Sequence, residues 1–241
     1  MNIRVEGLTK KYNGVTAISD ISFEVKSGEF VGLLGPNGAG KTTTLEIIEG
    51  LREPDAGEIF YDDMPLHSGR MSQKIKHLIG VQLEQCNYFE MLHLSELVRL
   101  FASFYGMRIS PEEIQDKLKE FNLPVDKFYN HLSAGQKKRF SLCLSIIHSP
   151  KVVFLDEPTL GLDVNGRNYL WERIKKFKED NITLILTTNL LNEAEELCDR
   201  IILINKGKII LEGRPEQIKE KFNTNNLEEI FINITGGNTY D

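Results

Sequence analysis

The sequence lacks most features that would place a protein outside the cell or inside a membrane. Its three cysteines, Cys86, Cys143 and Cys198, are too far apart for a zinc site, and an odd number does not make a disulfide framework. No run approaches the roughly 18 apolar residues that span a bilayer. The first residues, MNIRVEGLTKKY, have neither the apolar core nor the cleavage pattern of a secretory signal. We therefore expect a cytoplasmic chain in a reducing compartment.

The sequence also has no excess of positive charge, with 29 Lys and Arg against 35 Asp and Glu. The formal net charge of −6 argues against a nucleic-acid partner, because such a protein needs a basic surface to displace counterions from phosphates. We interpret the short basic run KKR at 137–139 as the solvated face of a helix. The 241 residues, 41% of them hydrophobic, are enough to build a sizeable core without crosslinks.

The hydrophobic pattern changes along the chain and predicts a single α/β domain in several parts. Glycine-punctuated runs such as ISFEVKSG alternate in polarity, whereas FVGLL, VVFLD, TLILTT and IILINKG are apolar strands that alternate with helices. Three segments with helical periodicity follow Ser or Ser-Pro starts between about Leu83 and Pro150. We predict an antiparallel β subdomain at 1–34, a parallel-sheet core at 35–82 and 151–212, a helical insert at 83–150 and a tail of two short helices at 213–241.

A glycine-rich turn separates a buried strand from a helix in GLLGPNGAGKTTTLEII, where Gly35 to Thr42 fit the pattern G-x-x-x-x-G-K-[ST]. Glycine at 38 and 40 permits backbone angles that let successive N–H groups point at phosphate oxygens. Lys41 would reach the β- and γ-phosphates, and Thr42 offers a hydroxyl to Mg²⁺. The alternative, a purely structural turn, is disfavoured by the flanking strand and helix. The candidate nucleotide-binding residues here are Gly35, Pro36, Asn37, Gly38, Ala39, Gly40, Lys41, Thr42 and Thr43.

Two adjacent acids end the apolar strand in KVVFLDEP. Asp156 would hold Mg²⁺ through water, and Glu157 could orient or deprotonate the water that attacks the γ-phosphate. Alone, the pair would be an ordinary solvated strand end. The phosphate loop upstream favours the catalytic interpretation.

The segment HLSAGQKKR contains an S-x-x-Q capping box, in which Ser133 and Gln136 start a helix. A capped helix N-terminus is also an anion site, so Ser133 and the Gly135 backbone could face a phosphate. Both interpretations can hold together.

With the phosphate loop and FLDEP, this segment makes the chain resemble the ATP-binding cassette family over nearly its whole length, with the motifs in the family's order. The resemblance implies a P-loop NTPase fold with a RecA-like core, and ATP and Mg²⁺ as cofactors. It also implies that two cassettes dimerise head to tail, so that LSAGQ of one closes over ATP held by the other. In this family Tyr12 would stack on adenine and Asp163 would lie near the dimer interface, while Ala134 stands where the family usually has glycine. Without the resemblance, Tyr12 would be read as a half-exposed packing residue.

The resemblance further implies a glutamine that contacts the metal and passes the nucleotide state to a membrane partner. The Ile-Gly start of IGVQLEQCNYF aligns Glu84 with that position. Glutamate can still ligand Mg²⁺, a cation that prefers oxygen. Either Gln85 takes the position instead or the coupling is altered.

Asn189 lies at the strand-to-helix junction where the family usually has a histidine that hydrogen-bonds the γ-phosphate. Asparagine is also a good helix N-cap, and the following LLNEAEELCD is helical. As a catalytic residue it keeps a donor and an acceptor but loses the reach of imidazole. Three explanations stay open: a slow ATPase, a degenerate cassette paired with one that retains histidine, or a deliberate substitution that traps the ATP-bound dimer.

We therefore expect the ATP-hydrolysing subunit of a transporter, peripheral on the inner face of the cell membrane and served by a separate permease. The ending GRPEQIKEKF is similar to the tails of exporter cassettes for drugs, peptides or polysaccharides. The alternatives are a soluble cassette that acts without transport and a regulatory cassette that binds ATP without efficient turnover.

Overall fold

The computed structural model describes residues 1–66 and 71–236, so residues 67–70 of the expected core and 237–241 of the expected tail lie outside the described residues. Its strands are β1 (Ile3–Tyr12), β2 (Val15–Val25), β3 (Phe30–Leu34), β4 (Ala56–Tyr61), β5 (Met64–Pro65), β6 (Ile79–Gln82), β7 (Val152–Asp156), β8 (Thr183–Thr188), β9 (Arg200–Asn205) and β10 (Lys208–Gly213).

These strands form two sheets. A four-stranded sheet has the order β2-β1-β4-β5, and its pairs are antiparallel. A six-stranded sheet has the order β10-β9-β3-β8-β7-β6, and it is parallel except for the β9–β10 edge. The predicted α/β fold, with a parallel core and an antiparallel β subdomain, is confirmed.

The strands are divided between the sheets differently from the expected boundaries in two places. Strand β3 lies at 30–34, within the range expected for the antiparallel subdomain, but it pairs with β8 and β9 in the core sheet. Strands β4 and β5, in the range expected for the core, complete the antiparallel sheet, where Ile3 pairs with Tyr61. A chain can return to an earlier sheet, and local polarity patterns do not record which sheet it joins.

The helices are α1 (Lys41–Ile48), α2 (Gln73–Lys76), α3 (Leu94–Phe104), α4 (Pro111–Glu120), α5 (Ala134–Ser145), α6 (Val164–Glu179), α7 (Leu191–Leu197), α8 (Pro215–Phe222) and α9 (Leu227–Thr235), with a 3₁₀ turn at Tyr129–His131. Helices α3 to α5 lie in the range expected for the insert, and α8 and α9 lie in the range expected for the tail. Within the part of the chain that the structure describes, no helix is both long and apolar enough to cross a bilayer.

Strand β3 explains why the core forms where it does. All five of its residues are buried, because both faces of the parallel sheet are covered. Phe30 and Leu34 pack into a cluster with the helical insert, α6 and α7, while Val31 and Leu33 pack into a second cluster with α1 and the antiparallel sheet. The loop that leaves the end of β3 is thereby held between two packed layers.

The basic run at 137–139 is not a solvated helix face, and that interpretation was wrong. Its three side chains are half-buried on α5. Lys137 lies 5.0 Å over the Tyr129 ring, and Arg139 donates to the Asn122 carbonyl oxygen at 3.2 Å. Lys138 donates to the carbonyl oxygens of Glu84, within the insert, and of Glu157, in the core. Lys138 therefore joins the insert to the core, while its two neighbours make contacts inside the insert.

Glu49 is the C-cap residue of α1 and is only 4% exposed. Its carboxyl group is buried without a hydrogen-bond partner. Burial, and then the charges of Asp156 and Glu46, raise the pKa of Glu49 to about 8. Folded protein therefore keeps a proton that the unfolded chain releases above its ordinary pKa of 4.5.

This gives a stability prediction with a definite sign. As the pH rises from 4.5 towards 8, the unfolded state ionises Glu49 and the folded state does not, so stability falls and levels off above pH 8. The loss is on the order of 5 kcal/mol. Glu49→Gln should remove this pH dependence. The melting temperature of the variant, measured relative to that of the natural protein, should therefore rise between pH 5 and 9. The exposed Glu53→Gln is the matched control, and parallel curves for all three proteins would contradict the prediction.

Candidate nucleotide-binding and catalytic site

The glycine-rich loop joins the buried end of β3 to the first turn of α1. Gly40 is the N-cap residue of α1, with φ of 108°. A Cβ atom there would lie 2.8 Å from the Ala17 carbonyl oxygen, so only glycine fits. Gly38, with φ of 75°, makes the preceding turn. The loop thus brings a helix N-terminus and its free N–H groups to the surface, an arrangement that favours phosphate.

An open cleft of about 590 Å³ lies over this loop. Its lining includes most of the predicted site residues, among them the half-buried Tyr12 on the antiparallel sheet, with Arg52 5.2 Å from the ring centroid. The cleft is lined by Tyr12, Ala17, Asn37, Gly38, Ala39, Gly40, Lys41, Thr42, Thr43, Glu84, Glu157, Leu160 and Asn189. Gly35 and Pro36 are not part of this lining, but their carbonyl oxygens accept hydrogen bonds from Lys41 Nζ at 2.8 and 3.4 Å.

Lys41 points back into its own loop. Its ammonium group donates to the Gly35 carbonyl oxygen at 2.8 Å and lies 3.7 Å from Glu157 Oε1. Burial lowers the pKa of Lys41, and the neighbouring Glu157 and Asp156 carboxylates oppose that shift. A bound phosphate would give this cation an exposed anionic partner in place of a backbone carbonyl group.

The carboxyl end of β7 brings together oxygen ligands of the kind that Mg²⁺ prefers. Asp156 Oδ1 accepts a hydrogen bond from Thr42 Oγ1 at 3.4 Å and another from Thr187 Oγ1. Burial raises the pKa of Asp156, and the Thr187 hydrogen bond opposes the shift. Within the described residues no group of three or more His, Cys, Asp or Glu side chains could hold a metal by themselves. This hydroxyl and carboxylate set fits a magnesium ion that takes its remaining ligands from phosphate and water.

Glu157 is held in an unusual backbone conformation. Its φ of 45° lies in the left-handed region, which residues other than glycine rarely adopt. Its N–H donates to the Thr187 carbonyl oxygen at 3.2 Å and to Thr187 Oγ1 at 3.1 Å. Strained residues of this kind cluster at functional sites, where the surroundings hold them. Burial raises the pKa of Glu157, and Lys41 opposes the shift, so the carboxylate is more basic than an exposed one.

Asn189 lies in the cleft but does not cap α7. The N-cap residue of that helix is Leu190, and no side chain accepts a hydrogen bond there. The Asn189 side chain is exposed, while its backbone N–H faces Glu157 Oε2 at 3.4 Å. The helix-cap explanation of this asparagine is therefore wrong. The backbone contact is available to any residue except proline, so only the side chain distinguishes asparagine from histidine here.

The structure also separates the two residues considered for the metal-contacting position. Glu84 lines both the nucleotide cleft and a neighbouring cavity of about 270 Å³, whereas Gln85 lines the neighbouring cavity and not the cleft. Glu84 is therefore the side chain nearer to the loop and to Asp156.

The capping box on α5 lies in a different cleft. Gln136 N–H donates to Ser133 Oγ at 3.3 Å, and Ser133 N–H donates to Gln136 Oε1 at 3.1 Å. Ser133 and Gly135 line an open cleft of about 600 Å³, together with Gly161 and Asp163. Ser133, Gly135 and Gln136 are thus on the same chain as the phosphate loop but do not face its cleft.

Three contributors were not predicted from the sequence. Thr187 holds both Asp156 and Glu157, and Ala17 and Leu160 complete the cleft wall. Only Thr187 had a recognisable signal, since it is a polar residue near the end of an apolar strand, two residues before Asn189. The parallel register that pairs Asp156 with Thr187 is a tertiary feature.

The parallel sheet, the loop at its carboxyl edge and the adjacent acids define a P-loop nucleoside triphosphatase. Residues 18–160 match the family described as ABC transporter. The chain belongs to this family, and it is an ATP-binding subunit with ATPase activity.

Curated relatives support this placement. The chain is 35% identical over 222 residues to the Nod factor export ATP-binding protein I of Ralstonia nicotianae, covering 90% of this chain and 68% of the relative. It is 35% identical over 240 residues to the protein of the same name from a Rhizobium species (strain N33), covering 98% and 77%.

Solved structures agree with the fold. The ATP-binding subunit of an ABC transporter superposes with a TM-score of 0.86 at 30% identity, covering 98% of this chain and 100% of that one. A dimeric ATP-binding cassette in a post-hydrolysis state, bound to ADP and Pi, superposes with a TM-score of 0.79 at 28% identity, covering 88% and 98%.

Proposed function

We propose that this ATPase drives the export of a solute through a separate membrane permease, by closing two cassettes over ATP and reopening them after hydrolysis. The observation that carries this proposal is the separation of two half-sites on one chain. The phosphate loop and Glu157 share one cleft, while Ser133 and Gly135 line another. Each half-site lacks what a second copy, turned head to tail, would bring.

The residues of the first cleft have complementary roles towards ATP. Tyr12 stacks on the adenine, and the loop N–H groups with Lys41 bind the phosphates. Thr42 and Asp156 would hold Mg²⁺, and Glu84 lines the same cleft. The ion neutralises charge on the β- and γ-phosphates when it is bound. Glu157, basic and close to the Lys41 cation, orients the attacking water and accepts its proton.

The second cleft supplies the other side of each ATP. The N-terminus of α5, capped by Ser133 and Gln136, offers N–H groups and a positive helix end to a γ-phosphate. Gly135 permits close approach, and Asp163 lies beside it at the same opening. Because the α5 N-terminus of each cassette contacts the ATP held by the other, the two cassettes should dimerise only when ATP is bound.

Two observations bear on export through a partner subunit. The curated relatives are named export ATP-binding proteins. The described residues contain no helix that could span a bilayer, and we propose a permease on another chain. We accordingly place this chain on the inner face of the cell membrane, bound to its permease.

Asn189 sets the expected rate. An asparagine side chain at the cleft mouth reaches less far than histidine and carries no charge. Because a hydrogen bond to a charged group is worth about 1.5 to 3 kcal/mol, Asn189→His should accelerate steady-state ATP hydrolysis by about tenfold or more.

The purified chain should also move from monomer to dimer on size exclusion in ATP with Mg²⁺.

Several results would contradict these expectations. Equal turnover by the natural chain and Asn189→His would show that other groups order the γ-phosphate. A chain that stays monomeric in ATP, even at high concentration, would argue against the head-to-tail dimer. Co-purification with a hydrophobic polypeptide supports transport, whereas association with ribosomes would overturn it.

A regulatory cassette is the second candidate, and Asn189 is the observation that favours it. Such a protein would bind ATP and dimerise but turn over slowly in every variant at position 189. An Asn189→His variant that stays slow while dimerising normally would favour this candidate.

A further inference from the structure

We propose that Lys138 is a positioning residue that holds Glu157 and the Glu84 segment in their catalytic arrangement from helix α5. Its ammonium group donates to the Glu157 carbonyl oxygen at 2.9 Å and to the Glu84 carbonyl oxygen at 3.0 Å. One side chain thereby joins the helical insert to two residues of the nucleotide cleft.

The contact with Glu157 falls where its backbone most needs support. Glu157 has the left-handed φ of 45°, and Thr187 holds its N–H from the neighbouring strand. Lys138 and the N–H of Leu160, at 3.3 Å, share the carbonyl oxygen on the other side. The peptide groups on both sides of the Glu157 Cα atom are therefore fixed, and this fixes the direction of the Cα–Cβ bond from which the carboxylate extends.

The charges around Lys138 favour a held cation. Its pKa is lowered by burial, while the Cys86 thiol and the carboxylates of Glu84, Asp156 and Glu157 oppose that shift. Every one of those groups becomes negative when it ionises, and each is on a different element from α5. The ammonium group of Lys138 is thus attracted by these acidic groups and also donates hydrogen bonds to two carbonyl oxygens.

Lys138 lies on the same helix as a residue of the second cleft. Ser133, the N-cap residue of α5, is five positions before Lys138 on the same rigid helix. This part of the inference rests on the proposed function, in which the α5 N-terminus faces the ATP of the other cassette. A shift of α5 on docking would be passed directly to the Glu157 carbonyl group.

The test uses the purified full chain and measures ATP hydrolysis against ATP concentration. Lys138→Met keeps the length and apolar stem of the side chain but removes the cation. Because a misplacement on the order of 1 Å costs about a hundredfold in rate, kcat should fall about tenfold to a hundredfold while KM changes less than about twofold. Lys138→Arg, which keeps the charge and several donors, should recover most of the lost kcat.

Lys137→Met is the matched control, because Lys137 is adjacent on α5 and lies over the Tyr129 ring outside the cleft contacts described here. It should hydrolyse ATP at the natural rate. If Lys138→Met folds poorly, Lys138→Gln provides the second variant, with one amide donor in place of the ammonium group and an intermediate kcat. A merely structural role would lower the melting temperature of these variants without the selective loss of kcat.

Glu157→Gln distinguishes the possible failures. If Glu157→Gln is inactive and Lys138→Met is fully active below its melting temperature, the positioning role of Lys138 is wrong and the assignment of Glu157 stands. If Glu157→Gln keeps its turnover, the proposed catalytic role of Glu157 fails first, and with it the reason for positioning that residue.

Discussion

Glu157→Gln should reduce steady-state ATP turnover by about a hundredfold or more while leaving ATP binding intact. The amide keeps the size of the side chain but cannot accept the proton of the attacking water. Lys41 Nζ, 3.7 Å away from Oε1, loses an anionic neighbour but keeps its hydrogen bond to the Gly35 carbonyl oxygen. The loop that receives the phosphates should therefore be unchanged.

The measurement is ATP hydrolysis together with equilibrium binding of ATP to the same protein. In the proposed mechanism the variant should also accumulate as an ATP-bound dimer on size exclusion, because reopening requires hydrolysis. Glu179→Gln, at the exposed end of α6, is a control for loss of an acid elsewhere on the chain. Natural turnover by Glu157→Gln would show that another group activates the water.

Lys41→Ala should weaken ATP binding by about a hundredfold, on the order of 3 kcal/mol. The cation is buried, and among the described residues that line the cleft Lys41 is the one lysine or arginine. Its removal leaves the helix N-terminus as the main attraction for phosphate. Hydrolysis should be undetectable at ATP concentrations that saturate the natural chain.

Titration calorimetry with ATP and Mg²⁺ measures this directly, and the rise in melting temperature on adding ATP gives a second reading. Lys151→Ala, an exposed lysine that precedes β7, tests whether net charge alone accounts for the loss. Tight ATP retention by Lys41→Ala would refute the assignment of the phosphate loop.

Motifs contained in one stretch of chain were readable from the sequence. The glycine loop needs a strand before it, a helix after it and left-handed angles at 38 and 40, and all three depend on neighbouring residues. The capping box of Ser133 and Gln136 spans a single helical turn, so its hydrogen bonds follow from spacing alone.

The local rule misled at Asn189. Its position before a helical run satisfied the preference for asparagine at an N-cap, yet the helix begins one residue later than that rule required. The chain at this point is held by the end of β8, where Thr188 Oγ1 accepts a hydrogen bond from Leu190 N–H at 3.0 Å.

The sequence by itself therefore determined the family and the α/β class, and it predicts which residues would meet phosphate and metal, because each motif is short and its geometry is local. Only the tertiary structure decided which sheet received β4, that Thr187 holds both acids and that Lys138 joins α5 to Glu157. Thr187 is 31 residues from Asp156, and Lys138 is 19 residues from Glu157. Contacts over such separations depend on strand register and on how the insert packs against the core, and neither leaves a periodic pattern in the chain.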